Sequence, residues 1–306
     1  MKTYQQLWQS LTPQYEAGEA QAIVRTVLDV KYGMTLTDII CGKVNELSAD
    51  EEKKLEEIIE RLQNAEPVQY VLGEADFAGR IFHVEPGVLI PRPETAELCQ
   101  WIEEDNKEEA LEQESLNQKS AKRILDICTG SGCIATTLAL DIPGSEVEGW
   151  DISKDALRIA KENAESLGAQ NVRILWRDAL KLPHGEVSIS DNDGTTSISG
   201  SEKWDVIVSN PPYICDKEKK DMAQNVLDYE PDIALFVPDE DPLRFYRAIA
   251  QYAAIALHPG GRLYFEINPI YENEMREMLE GLHFCHVETR EDAFGKKRMM
   301  KANIKK

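Results

Sequence analysis

No apolar run in this 306-residue chain reaches the roughly 18 residues that a membrane-spanning helix needs. The opening stretch, MKTYQQLWQSLTPQYEAGEA, has no charged-then-apolar signal-peptide layout. The six cysteines, Cys41, Cys99, Cys128, Cys133, Cys215 and Cys285, contain no C-x-x-C pair, so neither a metal site nor a small disulfide framework is indicated. A reducing cytoplasm is the simplest home. Positive charge is scarce: 34 Lys and Arg stand against 55 Asp and Glu, a net charge of −21. Such a chain repels bare phosphate backbones unless its basic residues cluster, and it suits a protein, peptide or small-molecule substrate better than duplex DNA.

What is present is ordinary for a globular chain of about two domains at roughly 150 residues each. Hydrophobic residues make up 42% and charged residues 29%, which excludes global disorder. The first sixty or so residues read as helices. Ser48 and Glu51 form a capping-box pattern, and Leu55, Ile58, Ile59 and Leu62 follow at helical spacing. Ala22, Ile23, Thr26, Val27 and Val30 give a second stripe. From Gln69 the pattern turns strand-like, in Tyr70-Val71-Leu72-Gly73, in Phe77 to Val84 and again in Val88-Leu89-Ile90, with Glu85-Pro86-Gly87 as a turn. A helix follows Pro93 through Leu98 and Ile102. The stretch Glu103–Glu114, with seven acids and one lysine, reads as a solvated helix end or linker.

Beyond Ser120 strands and helices alternate. Arg123–Ile127, Glu146–Trp150, Val172–Trp176, Trp204–Ser209 and Arg262–Ile267 read as strands. Helices fit at Ala135–Leu140, Lys154–Leu167 and Pro242–Leu257, the last capped by Asp241. Alternation predicts an α/β architecture with a mostly parallel, doubly wound sheet. Phe284–Thr289 and Lys297–Ile304 predict a terminal antiparallel hairpin. Residues 188–201, with twelve Ser, Thr, Gly, Asp or Asn among fourteen, read as a surface insertion.

Two constellations can carry chemistry. In the first, the strand ending at Asp126-Ile127 enters Cys128-Thr129-Gly130-Ser131-Gly132 and opens a helix. Glycine allows close backbone approach and the helix start offers free N–H groups, a cradle for a nucleoside cofactor. Asp151, nineteen residues after Gly132 at the end of the next strand, can accept both ribose hydroxyls. Gly130, Gly132 and Ala135 also satisfy G-x-G-x-x-G/A, so this loop by itself fits an NAD enzyme as well. No catalytic His or Tyr-Lys pair near the fourth strand supports that alternative. Asp126 stands where a methyltransferase loop carries an acid that steadies the loop and faces the cationic end of S-adenosylmethionine. Asp178, followed by Ala179 after the third strand, can meet an adenine amino group.

The second constellation is Ser209-Asn210-Pro211-Pro212-Tyr213 at the end of the apolar strand Val206-Ile207-Val208. Two prolines fix the backbone and remove two N–H donors. Asn210 offers an acceptor oxygen to a substrate NH₂, and Tyr213 a flat face for a planar group. The set suits a planar nitrogen with a delocalised lone pair, in an amide or in an exocyclic base amine. An adenine-amino methyltransferase is therefore one alternative, though it needs a basic path for nucleic acid. A catalytically silent, cofactor-binding adaptor is another.

The Asn-Pro-Pro-Tyr motif after a glycine loop resembles the amino-methyltransferases that use S-adenosylmethionine. Pro67-Val68-Gln69-Tyr70-Val71-Leu72-Gly73, Phe77-Ala78-Gly79-Arg80 and Val88-Leu89-Ile90-Pro91-Arg92-Pro93-Glu94-Thr95 resemble the release-factor glutamine methyltransferases of the HemK or PrmC type, from about residue 20 to the end. The resemblance implies a helical substrate-docking domain over 1–75, a hinge hairpin over 76–92 and a methyltransferase domain with a seven-stranded sheet over 93–306. It implies S-adenosylmethionine as cofactor and class I peptide chain release factors as substrate, methylated on the glutamine of their Gly-Gly-Gln loop. No direct nucleic-acid binding and no membrane association are implied. Asp126, Cys128, Thr129, Gly130, Ser131, Gly132, Asp151, Asp178, Ala179 and Asn210 are the implied cofactor residues. Asn210, Pro211, Pro212 and Tyr213 are the implied catalytic and substrate residues, with Arg92 and Glu94 shaping the glutamine pocket. The chain departs from the family pattern at Cys128, where the loop usually begins with glycine. It departs again at Ala179, where some relatives carry an aromatic, and at Asn268-Pro269.

Overall fold

The structure, a computed structural model, describes residues 2–115, 121–183 and 203–304. The Ser/Thr-rich stretch 188–201 lies outside the described residues. Two compact units form: Met1–Ala75 with Val84–Pro86 and Met222–Glu230, and Asp76–His83 with Gly87–Asp221 and Pro231–Lys306.

The first unit is helical: α1 (Tyr4–Gln9), α2 (Ala17–Tyr32), α3 (Leu36–Ile40), α4 (Ala49–Gln63) and α5 (Val68–Leu72). Ser48 caps α4 in a reciprocal capping box, its backbone N–H donating to Glu51 Oε2 at 2.8 Å. The stripes pack together, with Val24, Val27, Leu28, Ile59 and Leu62 buried in one core. The strand expected at Tyr70–Leu72 is instead helix α5. Pro67 starts it, its buried Val71 and Leu72 join the helical core, and Gly73 closes it at φ 77°.

The hairpin comprises β1 (Glu74–Phe77) and β2 (Arg80–His83), turning at Ala78 (φ 51°) and Gly79 (φ 72°). Two central residues at positive φ are the turn that matches strand twist. Val88–Ile90, expected as a strand, forms none. Next comes α6 (Pro93–Ser115), one continuous helix where the acidic stretch predicts dissolution. Its apolar face buries Leu98, Trp101 and Ile102, and its acids are held by cations: Glu109 by Lys122 (2.6 Å) and Arg262, Glu104 by Arg290 (2.8 Å). These tethers join the acidic part of the helix to the sheet side of the unit.

Strands and helices then alternate: β3 (Arg123–Ile127), α7 (Cys133–Asp141), β4 (Glu146–Asp151), α8 (Lys154–Ser166), β5 (Val172–Trp176), β6 (Trp204–Ser209), β7 (Ile214–Cys215), α9 (Gln224–Tyr229), α10 (Asp232–Leu235), β8 (Phe236–Val237), α11 (Arg244–Ala256), β9 (Leu257–Glu266), α12 (Glu272–Gly281), β10 (Phe284–Glu291) and β11 (Lys297–Ile304). The start of α11 is later than expected. Asp241 does not cap it, because its carboxylate turns to Arg247 at 3.0 Å.

The main sheet has the order β10-β11-β9-β6-β3-β4-β5, with β11 antiparallel to both neighbours. Alternate side chains fill opposite faces. Leu125, Ile127, Ile207, Leu263 and Phe265 pack towards α11 residues, while Ile124, Val206, Val208 and Tyr264 pack towards α6 and α7 residues. Burial on both faces explains why these strands read as continuous apolar runs. From β3 the chain winds out through β4 to β5, then returns to β6 on the other side of β3. That reversal leaves a crevice at the carboxyl ends of the strands, the usual ligand position in such sheets.

Candidate active site

A cavity of about 330 Å³ opens at that crevice. Its walls come from the ends of β3 (Ile127 to Ser131), β4 (Trp150, Asp151), β5 (Arg177 to Leu180) and β6 (Asn210, Pro212), with Arg92 and Thr95 beside them. The two constellations, far apart in sequence, therefore share one space.

The loop after β3 runs through three left-handed residues: Cys128 (φ 64°), Gly130 (φ 54°) and Gly132 (φ 78°). At Cys128 the chain carries a Cβ into a conformation it disfavours, at about 1–2 kcal/mol. Its thiol is pushed well up in pKa by burial. A Cβ on Gly132 would stand 2.9 Å from the Ala160 Cβ, so this glycine lets the loop lie against α8. A Cβ on Gly130 would meet no atom within 4 Å, so the space over it is open. Asp151 braces the loop, accepting from the Gly130 N–H at 2.9 Å and from the Ser153 N–H at 2.8 Å. Burial raises its pKa and those backbone donors oppose the rise.

Asp126 lies beneath the loop and not on the cavity wall. It is fully buried, accepting from Thr129 Oγ1 (2.6 Å) and the Ala135 N–H (3.2 Å), while its Oδ1 has no hydrogen-bond partner. Burial pushes its pKa up to about 7. Asp178 lines the cavity but is engaged on both oxygens, by the Leu180 N–H (2.9 Å) and Lys181 (3.1 Å). Buried Asn163, which the sequence reading missed, ties Ser131 of the loop to His83, donating to both carbonyls at 2.9 and 3.0 Å. A buried amide on the inner face of an amphipathic helix was the signal for it.

At the other end, Asn210 Nδ2 donates to Thr95 Oγ1 at 3.2 Å. Thr95 Oγ1 donates to Glu266 Oε2 at 2.5 Å, and the Tyr213 hydroxyl donates to Glu266 Oε1 at 2.8 Å. Glu266 is buried, which raises its pKa; the bonds from Thr95 and Tyr213 and the charge of Arg298 oppose that rise. Pro211, Tyr213 and Glu94 lie outside the cavity lining, whereas Thr95 is part of it. The stretch Pro91 to Thr95 thus reaches the site through Arg92 and Thr95. Asn268, left without a role by the sequence, caps the turn after β9 and donates to the Tyr213 carbonyl at 3.2 Å.

Residues 118–277 match the methyltransferase domain family, and the catalytic domain of hMettl16 has the same fold, at a TM-score of 0.50 and 14% identity over 73% of this chain and 74% of that one. The strand order and the switch-point cavity agree with that match: this is an S-adenosylmethionine-dependent methyltransferase. Residues 6–73 match the PrmC N-terminal domain. The release factor glutamine methyltransferase of Bacteroides thetaiotaomicron is 46% identical over 295 residues, 96% of each chain. That of Flavobacterium psychrophilum is 36% identical over 306 residues, 100% of this chain and 99% of the other. The chain belongs to the release factor glutamine methyltransferase family.

The lining fits the cofactor. Asp151 lines the cavity, and its carboxylate, already accepting main-chain N–H groups, keeps acceptor capacity for a ribose hydroxyl. The opening over Gly130 admits a ligand against the loop backbone. Among the described residues no helix is long and apolar enough to cross a membrane.

Proposed function

We propose that this chain methylates the side-chain amide nitrogen of the glutamine in the Gly-Gly-Gln motif of peptide chain release factors. The observation that carries the reading is the single cavity lined both by the loop Cys128–Ser131 with Asp151 and by Asn210 with Pro212. When bound, S-adenosylmethionine supplies an electrophilic methyl group. Asp151 holds the ribose, Asp178 and Ala179 take the adenine, and the loop backbone lies along the rest.

An amide nitrogen is a poor nucleophile because its lone pair is shared with the carbonyl. Asn210 Oδ1 and the Pro211 carbonyl accept its two N–H bonds, which fixes the nitrogen and favours a pyramidal geometry as the new bond forms. Positioning and preorganised acceptors then supply most of the acceleration. No strong base is needed first, since the nitrogen becomes acidic as its lone pair is used. The Tyr213 hydroxyl is anchored on Glu266; with the glutamine bound, its ring would pack on the amide plane, and Arg92 and Glu94 would shape the approach. Mass spectrometry of a release factor after incubation with enzyme and cofactor tests the reading. A single added methyl on the loop glutamine is expected, and an unmodified loop with methylation elsewhere refutes it.

A further inference from the structure

Nothing in the reaction above says why Asn210 presents its oxygen and not its NH₂ to the substrate. An asparagine amide can turn over, and the wrong face sets a donor against a donor. We propose that Thr95 and Glu266 are positioning residues that set this polarity, as a directional relay of hydrogen bonds buried behind the site. The inference rests on the acceptor role given to Asn210 under the proposed function.

An ionised carboxylate only accepts, so Glu266 must receive a proton on each oxygen, from Thr95 Oγ1 at 2.5 Å and from the Tyr213 hydroxyl at 2.8 Å. Thr95 has one hydroxyl proton and has given it to Glu266. Its oxygen can therefore only accept from Asn210, which forces Nδ2 to face Thr95 at 3.2 Å. Oδ1 is left as the free face of the amide. Burial keeps water from competing: Thr95 is 2% exposed and Glu266 also 2%. The other charges acting on Glu266 are Arg298 on β11, which favours its ionised form, and Glu94 on α6, which opposes it. Of these two charges Arg298 has the larger influence, and with the bonds from Thr95 and Tyr213 it opposes the rise that burial causes. The three members lie on α6, after β6 and at the end of β9, so three separate elements contribute one link each. A purely structural strap would hold these elements together but would not depend on which way the protons run.

The test uses the full-length enzyme, the cofactor and a release factor bearing the Gly-Gly-Gln loop. Thr95→Val keeps the shape and removes the relay, and should lower kcat by about tenfold to a hundredfold while leaving cofactor Kd within about twofold. Thr95→Ser retains the hydroxyl and should hold kcat within about threefold of wild type. Glu266→Gln puts a donor where an acceptor stood, and should also cost about tenfold in kcat or more. Thermal melts identify any variant that fails to fold, and Thr95→Val decides the matter if Glu266→Gln does so. In an Asn210→Ala background, Thr95→Val should cause no further loss, because the group it orients is gone. Wild-type kcat in Thr95→Val, or a full additional loss in the Asn210→Ala background, overturns the relay and leaves Asn210 standing. Undiminished kcat in Asn210→Ala alone overturns the acceptor role, and the relay falls with it.

Discussion

The two ends of the cavity are held by different means. At the loop end the backbone does the holding: three left-handed residues, and an aspartate that accepts main-chain N–H groups. At the Asn210 end side chains do it, through buried bonds joining residues more than 100 positions apart in sequence (|i−j| of 115 and 171). A backbone cradle fits the invariant parts of a small ligand and sets affinity. The side-chain relay proposed for Thr95 and Glu266 would fix one polar atom and set rate. Substitutions at the two ends should therefore separate binding from turnover.

The largest effect is expected at Asn210. Asn210→Ala should lower turnover by about a hundredfold or more, on the scale of one preorganised transition-state hydrogen bond, with cofactor affinity little changed. Asn210→Asp keeps an acceptor and should retain more activity than the alanine variant. Single-turnover rates on a release factor read both, and a parallel loss of cofactor affinity would erase the contrast between the ends. Asp151→Ala should do the opposite, raising the cofactor Kd by about tenfold or more, roughly 1.4 kcal/mol, in calorimetry. Unchanged affinity in the folded variant would remove Asp151 from the cradle.

Within the loop the two glycines should part company. Gly132→Ala meets both a left-handed backbone and Ala160 at 2.9 Å, so its melting temperature should fall, for a loss of about 1–3 kcal/mol. Gly130→Ala has the backbone strain without the clash; it should melt higher than Gly132→Ala and show its main defect in cofactor binding. The last effect, read only as a pH dependence, concerns Asp126. Its pKa rises from 3.8 to about 7 on folding, so the folded state holds the extra proton. The stability this contributes is present below about pH 4 and is lost as pH rises through about 7. Asp126→Asn should therefore gain in melting temperature relative to wild type between pH 5 and pH 8, and a flat difference would contradict the burial argument.

Much of the sheet and the loop end was legible because it is local. Apolar strand runs alternating with helices, a glycine loop after a strand and an acid at the next strand end all lie within short windows. The antiparallel tail was legible for the same reason, from two strand patterns and a short connection. Helix α5 was misread because Tyr70 and Val71 are strand-prone, while the burial of Val71 and Leu72 in the helical core overrides propensity. The continuity of α6 was missed because its acids find partners on distant strands. Glu266 is the instructive omission. An acid closing the apolar run Leu263-Tyr264-Phe265 was a visible sign of a buried charge, but its partners Thr95 and Tyr213 are assembled only by the fold. For the same reason Glu94 was singled out within Pro93-Glu94-Thr95, where the buried hydroxyl beside it lines the cavity.

The segment Met222–Glu230 belongs to the helical unit although it follows the Asn-Pro-Pro-Tyr motif by only a few residues, and the Tyr229 hydroxyl donates to the Asn64 carbonyl at 2.8 Å. The modular boundary is thus not a point on the chain. Cutting the gene once near Arg92 would leave the catalytic half carrying α9 without the helices it belongs to. An exchange of helical units between relatives must carry three separate pieces, and the third of them is encoded inside the catalytic domain, so the two halves are bound to change together.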